Sequence, residues 1–459
     1  MSLGIERYLG RTLECDSCGQ PHKVGTRAAA VGPRAIEEDL PAFLSAGVAA
    51  DRVVILQDAR TAVCAGDRTR AALAAAGISV PEAITLADDG DHPPGCDIPT
   101  IDGVAAALAD VAPDAVVAVG SGTVTDVAKA AADRLSLPVV SVPTAASMNG
   151  YTSSIAAILE GGVKRTKPVR PVVGVFADPE VVRGAPGDMA PAGLGDLLSK
   201  SVCGADWMLS HLLQDAYWCA LPGELVEAAE SACIEQAAAI GAGDAAALGT
   251  LVEALLLSGI SMVIAGSSAP ASGGEHLISH LWDMRRHVDG RHLNHHGAQV
   301  GVGTLVTAAL YELLMEHPVE AQVDPEALAA SHPGWDAEAA RITEVHGALA
   351  GEVLGCYRDK HRDRDAQLAF VTRVVGSWPA IRDRAGSIAR PVAELRGALE
   401  AAGAATTAAD LDVSADEMLE TFLVARDIRA RYTVLDLAWD LGLLGPLAEA
   451  ALERSGVLG

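Results

Sequence analysis

Between residues 35 and 143 the apolar positions of the chain switch back and forth between two periods. Strand-like, largely apolar runs at 52–57, 114–120 and 138–142 predict buried strands, and 3.6-residue spacing over 35–47, 61–76, 101–110 and 125–135 predicts helices. Strands that alternate with helices in this way pair in parallel through right-handed crossovers. One more apolar run, 172–176, stops at Asp178-Pro179. From about Gly187 the pattern is helical, broken at Pro222, Gly241-Ala242-Gly243, Gly273-Gly274, Gly290 and Pro333-Gly334. The predicted fold is an α/β N-terminal Rossmann-like parallel-sheet domain (residues 1–185) followed by an all-α C-terminal domain (residues 186–459). The boundary falls near Pro186, and no internal repeat emerges.

Composition narrows the class. Half of the 459 residues are hydrophobic and only 3% are aromatic, so the core must be built from Ala, Val and Leu at close contacts. A formal charge of −26 repels nucleic acid and anionic lipid, which removes both as partners. No run reaches the roughly eighteen uninterrupted apolar residues of a membrane span. Residues 1–12 are mixed polar rather than a secretion signal, so a cytoplasmic location is expected. The eight cysteines are scattered, without the density of a disulfide scaffold, and read as reduced.

The run Ala115-Val-Val-Ala-Val-Gly-Ser-Gly-Thr123 reads as a strand, a glycine turn and the start of a helix. That geometry aims backbone N–H groups and a helix dipole at the turn, where a pyrophosphate fits. Gly120 and Gly122 allow close approach, and Ser121 and Thr123 add hydroxyl donors; a plain tight turn fits the same residues. Asp58 ends the strand at 52–57, where its carboxylate would bond a ribose 2′-hydroxyl and repel a 2′-phosphate, favouring NAD(H) over NADP(H). Its spacing suits a helix N-cap equally well.

Asp196 follows glycines in Gly193-Leu-Gly-Asp196, His276 and His280 lie four apart on one predicted helix face, and His296 follows a loop in Asn294-His-His-Gly297. One carboxylate and two imidazoles, from Asp196, His276 and His296, suit a divalent Zn, Fe or Ni with a position left open for substrate or water. For any one of the thirteen histidines a solvated surface role is the simpler reading; the set of three carries the metal expectation.

Taken together these motifs resemble the iron-containing alcohol dehydrogenase superfamily, which includes glycerol dehydrogenase and dehydroquinate synthase, and within it the sn-glycerol-1-phosphate dehydrogenases. The resemblance runs from about Cys15 to about Val306. It rests on Gly120-Ser-Gly-Thr-Val-Thr-Asp126, Pro143-Thr-Ala-Ala-Ser-Met-Asn-Gly-Tyr-Thr-Ser153, Gly193-Leu-Gly-Asp196, Gly274-Glu-His-Leu-Ile-Ser-His280 and His296-Gly-Ala-Gln-Val-Gly301. It implies Asp196, His276 and His296 as metal ligands, His280 beside them, and Asp58, Gly120, Ser121, Gly122, Thr144 and Ser147 around a dinucleotide. Asp126 falls where the family places a residue close to substrate. The sequence departs from the family at Asn149, where relatives carry Asp, which removes a negative charge beside the expected substrate pocket.

A small anionic substrate needs a local reversal of sign in so acidic a chain. Of six lysines, Lys129, Lys164, Lys167 and Lys200 lie between the glycine turn and just past Asp196; the segment from Gly162 to Arg170 holds four cations, and Arg285, Arg286 and Arg291 form a second set. Lys164 and Lys200 are the first candidates for a phosphate, and Asp126, His280 and Lys200 the candidate catalytic residues. The alternative for each cation is a solvated loop. Cys15-Asp-Ser-Cys18 with His22 invites a zinc reading, but no second cysteine pair follows, so a structural or surface role is expected. The functional expectation is hydride transfer between NAD(H) and glycerol 1-phosphate or dihydroxyacetone phosphate. Rival readings are an unphosphorylated polyol or phosphonate aldehyde, a dehydroquinate-synthase-like lyase without net redox change, and a non-catalytic binding protein. A homodimer is expected from the helical region.

Overall fold

A computed structural model describes residues 3–90, 92–160, 163–292 and 294–459. Gly162, at the head of the cationic segment, and the first two residues of the N-terminal stretch lie outside it. The chain forms two compact units assembled from alternating segments rather than from a single cut at Pro186. The first comprises 1–197, 220–267 and 401–403, the second 198–219, 268–400 and 404–459.

In the first unit a short hairpin, β1 (Thr12–Glu14) and β2 (Pro21–Lys23), precedes a six-stranded sheet. The sheet strands are β3 (Ala28–Val31), β4 (Val53–Asp58), β5 (Ile84–Leu86), β6 (Ala115–Gly120), β7 (Val139–Pro143) and β10 (Gly174–Ala177), in the order β3-β10-β7-β6-β4-β5. Every pairing in it is parallel, as the strand–helix alternation predicts. Val117 and Val119 of β6, Ile55 of β4 and Val140 of β7 pack with Ile36, Leu40 and Leu44 into one apolar cluster. Side chains this small let helices sit close on the sheet. The turn residues that follow β6 and the helix α1 (Gly122–Arg134) are therefore held rigidly at the strands' carboxyl ends.

Two elements of this unit depart from the sequence expectations. Residues 155–168 form an antiparallel hairpin, β8 (Ile155–Glu160) and β9 (Val163–Pro168), where only a cationic segment was expected. The apolar helix α2 (Ala245–Ala265) belongs to this unit and not to the second. Asp244 caps its start by accepting the N–H groups of Ala246 and Ala247, and Gly266, at φ 65°, ends it in the left-handed region.

The second unit is helical. Its centre is α3 (Gly274–Asp289) and α4 (His296–Glu316), joined by a turn at Gly290. Around them runs a chain of buried ion pairs. Asp427 accepts Arg341 at 2.9 Å and His346 at 3.0 Å, Asp436 accepts Lys360 at 2.8 Å and Arg426 at 3.0 Å, and Asp440 accepts Arg362 at 3.0 Å. Both α2 and α4 are long and apolar enough to cross a membrane, yet 89% and 78% of their most apolar stretches are buried inside the protein. They are core helices by that measure.

Candidate active site

The first unit gathers the predicted dinucleotide residues at the carboxyl ends of its central strands. Gly120 closes β6, and a Cβ there would lie 2.6 Å from Val124, so the turn into α1 tolerates no side chain. The Ser121 Oγ lies 2.6 Å from Ser147 Oγ and 3.2 Å from the Tyr151 hydroxyl, which itself donates to the Ala145 carbonyl. Thr144 N–H donates to the Gly120 carbonyl at 3.3 Å. Five of the six expected residues, Gly120, Ser121, Gly122, Thr144 and Ser147, thus stand around one turn, with Tyr151 as a sixth member the sequence did not single out. Burial pushes the Tyr151 phenol up to about 12, so it serves as a neutral hydroxyl bridge.

Asp58 stands at the end of β4, next to β6 in the sheet. Its carboxylate accepts the N–H groups of Arg60 and Thr61, both at 2.8 Å, and the Thr61 hydroxyl accepts the Asp58 N–H at 2.9 Å. The helix-capping role is therefore realised.

Asp126 accepts Lys129 at 2.9 Å and the Ala157 N–H at 3.0 Å. Lys129 is buried, and its ammonium also donates to the Gly150 and Ile155 carbonyls. This ion pair ties α1 to β8 and to the loop that carries Asn149. The Asn149 N–H donates to Asp196 Oδ2 at 2.9 Å, and its side-chain amide reaches Oδ1 at 3.5 Å. An aspartate at 149 could not donate through its side chain and would oppose the Asp196 charge. The helix α2 backs this loop: a Cβ on Gly259 would meet Thr152 Oγ1 at 2.1 Å and the Asn149 carbonyl at 2.7 Å. Asp196 itself is fully buried. Its helix (Met189–Leu198) approaches the loop at Gly193, where a Cβ would lie 1.8 Å from the Ala146 carbonyl oxygen.

Ion pairs tie down cations of the 162–170 segment. Arg165 and Lys167 reach Glu160 at 3.3 and 2.8 Å, and Arg170 reaches Asp133 at 2.7 Å. Lys164 is half-buried on β9 opposite Leu159.

In the second unit His276 and His280 lie one turn apart on α3, and His296 opens α4. Their ring centroids are 6.0 Å (His276–His280), 5.2 Å (His276–His296) and 5.7 Å (His280–His296) apart. Nδ1 of His276 is 2.6 Å from Glu275 Oε1, which also accepts the Gly273 N–H at 2.7 Å and the Cys203 thiol at 2.9 Å. Burial pushes the Glu275 carboxyl up, but hydrogen bonds from His276, the Cys203 thiol and the Gly273 N–H outweigh it and hold it below the ordinary glutamate value. An anionic Glu275 fixes the proton on Nδ1 and leaves the Nε2 lone pair of His276 for a ligand. Nδ1 of His296 lies 3.2 Å from Ser279 Oγ, whose proton goes to Gln299 Oε1 at 2.8 Å. With that proton committed, Ser279 accepts from Nδ1–H of His296, the tautomer that matches His276.

Lys200, in the first turn of the helix Lys200–Gln214, is buried and donates to Ser199 Oγ at 3.0 Å and to the Ala271 carbonyl at 3.2 Å. Arg285 pairs with Glu420 at 2.7 Å, Arg291 with Glu417 at 3.0 Å, and Arg286 donates to the His292 and Leu411 carbonyls. The second basic set is thereby committed to acids and backbone.

Residues 30–186 match the family model described as iron-containing alcohol dehydrogenase. The chain is 33% identical over 311 residues to glycerol-1-phosphate dehydrogenase [NAD(P)+] of Bacillus licheniformis, covering 67% of this chain and 76% of the relative. It is 39% identical over 199 residues to the enzyme of that name from Halalkalibacterium halodurans, covering 43% of this chain and 50% of the relative. Among solved structures, a probable glycerol dehydrogenase from Sinorhizobium meliloti 1021 shares the fold, with a TM-score of 0.59 at 18% identity over 93% of this chain and 98% of that one. On the family match over its sheet and 33% identity across three quarters of a relative's length, the chain belongs to the iron-containing alcohol dehydrogenase family.

Proposed function

We propose that the protein is a metal-dependent NAD(P)(H) oxidoreductase acting on sn-glycerol 1-phosphate and dihydroxyacetone phosphate, with NAD(H) the preferred cofactor. The observation that carries this reading is the pair of histidines whose Nδ1 atoms lie 2.6 Å from Glu275 and 3.2 Å from Ser279, contacts that suit Nδ1–H donors and leave the Nε2 lone pairs for a cation. With the buried Asp196 carboxylate they make an N,N,O donor set that fits a Zn, Fe or Ni ion. Such a cation supplies Lewis acidity toward a carbonyl oxygen, and the nicotinamide supplies hydride.

The chain's own residues do the rest. Gly120, Ser121, Gly122, Thr144 and Ser147 cradle the pyrophosphate beside the amino end of α1, where N–H groups and dipole favour an anion. Asp58 selects against a 2′-phosphate. Asn149 orients Asp196, Glu275 orients His276, and the Asp126–Lys129 pair holds the substrate-side loop. Lys164 and Lys200 bind the substrate phosphate, and His280, on the same face of α3 as His276, relays the proton. The names of the relatives support the phosphorylated substrate. We place the enzyme in the cytoplasm as a homodimer, with no nucleic-acid or membrane partner.

The test is an NADH-oxidation screen of dihydroxyacetone phosphate against dihydroxyacetone with Zn, Fe or Ni added in turn. The phosphorylated ketone should give the higher kcat/KM by at least tenfold, about 1.4 kcal/mol of transition-state binding. Equal turnover of the two would remove the phosphate from the reading, and absence of NADH oxidation with every substrate and metal would remove the reaction.

A further inference from the structure

The hairpin that precedes the sheet supplies none of the residues proposed for the reaction. Its strands β1 and β2 have three residues each, too few to hold a two-stranded ribbon in water. The sequence between and on them is Cys15-Asp-Ser-Cys18-Gly-Gln-Pro-His22. The turn closes with the Gly19 N–H donating to the Cys15 carbonyl at 2.8 Å, and Gly19 takes φ +68°, a conformation that favours glycine. This folds Cys18 back onto the strand that carries His22, and Cys18 Sγ lies 3.2 Å from His22 Nε2. The ligand atoms of Cys15, Cys18 and His22 lie within 4.8 Å of one another. Ligands of a tetrahedral zinc, with bonds of about 2.3 Å to sulfur and 2.0 Å to nitrogen, stand about 3.6 to 3.8 Å apart. Cys15 and His22 are each more than nine-tenths buried, an unusual setting for an imidazole beside two thiols on a surface hairpin.

The fourth position follows from the chain itself. The Ala220 N–H donates to Ser17 Oγ at 2.9 Å, the residue just before Cys18. The residue joined to Ala220 by the preceding peptide bond is Cys219, fully buried. A second cysteine pair, which the sequence lacks, is therefore not required; one more sulfur suffices.

We propose that Cys15, Cys18, His22 and Cys219 bind a structural zinc ion, separate from the cation of the reaction. Binding releases the three thiol protons, leaves a Cys3His shell with no open position, and staples a hairpin that its own hydrogen bonds cannot hold. This assignment does not rest on the proposed reaction, since no ligand is shared with Asp196, His276 or His296.

The intact chain, purified without chelator, is assayed for zinc by mass spectrometry and then reloaded with cobalt(II) for absorption spectroscopy. Wild-type protein should show a thiolate-to-cobalt charge-transfer band. The band should persist in His276→Ala, which removes an imidazole of the other site, and disappear in Cys18→Ser. The same substitution should lower zinc by about one ion per chain. Absence of the thiolate band from the cobalt-loaded wild type would overturn the proposal, and this measurement needs no variant to fold. Unchanged zinc content in folded Cys18→Ser would overturn it too. So would a zinc-free native chain whose mass has lost the two hydrogens of a Cys15–Cys18 disulfide.

Discussion

At the scale of single residues, the groups that matter most are those that fix a proton. Glu275 is fully buried, and its charge keeps the His276 proton on Nδ1. Glu275→Gln removes that charge and introduces an amide that can donate to Nδ1, so the other tautomer becomes available. Metal affinity should fall by about 10- to 100-fold, measured by competition with a chromogenic chelator, while the fold is retained. Asp58 permits a cleaner test, because asparagine is as good an N-cap as aspartate. Asp58→Asn should therefore leave thermal stability nearly unchanged and raise kcat/KM for NADPH relative to NADH by roughly tenfold, the effect of losing one carboxylate beside a 2′-phosphate. A stability loss without a change in cofactor ratio would mean that capping is its whole role. Asp196, His276 and His296 stand out in the sequence as ligand candidates because each has a glycine within two residues on a helical background. Tyr151 and Glu275 were not, since what distinguishes them is a partner far along the chain (Ser121) or a neighbour's ring orientation (His276). Asn149 was noticed only as a missing charge, whereas the structure makes it the hydrogen-bond donor to Asp196.

At the scale of elements, the loop of residues 145–153 is held from several directions. Lys129 grips its Gly150 carbonyl, α2 passes at Gly259, and the helix of Asp196 presses on it at Gly193. Gly193→Ala would drive a Cβ into the Ala146 carbonyl oxygen, a contact with backbone that no rotamer change can relieve. The helix must move away from the loop, at a cost of roughly 1–3 kcal/mol. Asn149 should then lose its bond to Asp196, so metal occupancy should drop along with the melting temperature; a variant that loses a few degrees yet keeps full metal content would show the loop and Asp196 to be uncoupled. Continuous apolar runs made β4, β6, β7 and β10 readable to within a residue or two at their starts and ends. The strands β3 and β5 escaped, being three or four residues of ordinary composition whose partners are distant in sequence. The hairpin β8–β9 escaped for a different reason. Its second strand carries Lys164, Arg165 and Lys167, the last two matched to Glu160, and a strand so rich in cations reads in sequence as a charged loop.

At the scale of the whole molecule, a charge of −26 sets the terms of stability. At neutral pH and low ionic strength the acidic surface repels itself, so added salt should stabilise the protein until screening is complete. Acid relieves that repulsion but strikes at the buried ion pairs of the second unit. Burial alone would raise the Asp427 carboxyl; hydrogen bonds from His346 and Arg341 and the charge of Arg426 overcome it and hold the group at about 2, against 3.8 when exposed. A folded-state value below the unfolded one means the stabilisation is complete above pH 4 and is lost as pH falls from about 4 to 2. The difference is on the order of 2 kcal/mol from this residue. Asp427→Asn should unfold more readily at pH 7 by roughly 3 kcal/mol or more, because Arg341, His346 and Arg426 lose a buried counter-charge. Its urea midpoint should also fall less steeply than the wild-type midpoint between pH 4 and 2, since the titrating group is gone. If the two midpoints fall in parallel over that window, acid lability belongs to other carboxylates and Asp427 acts only through packing.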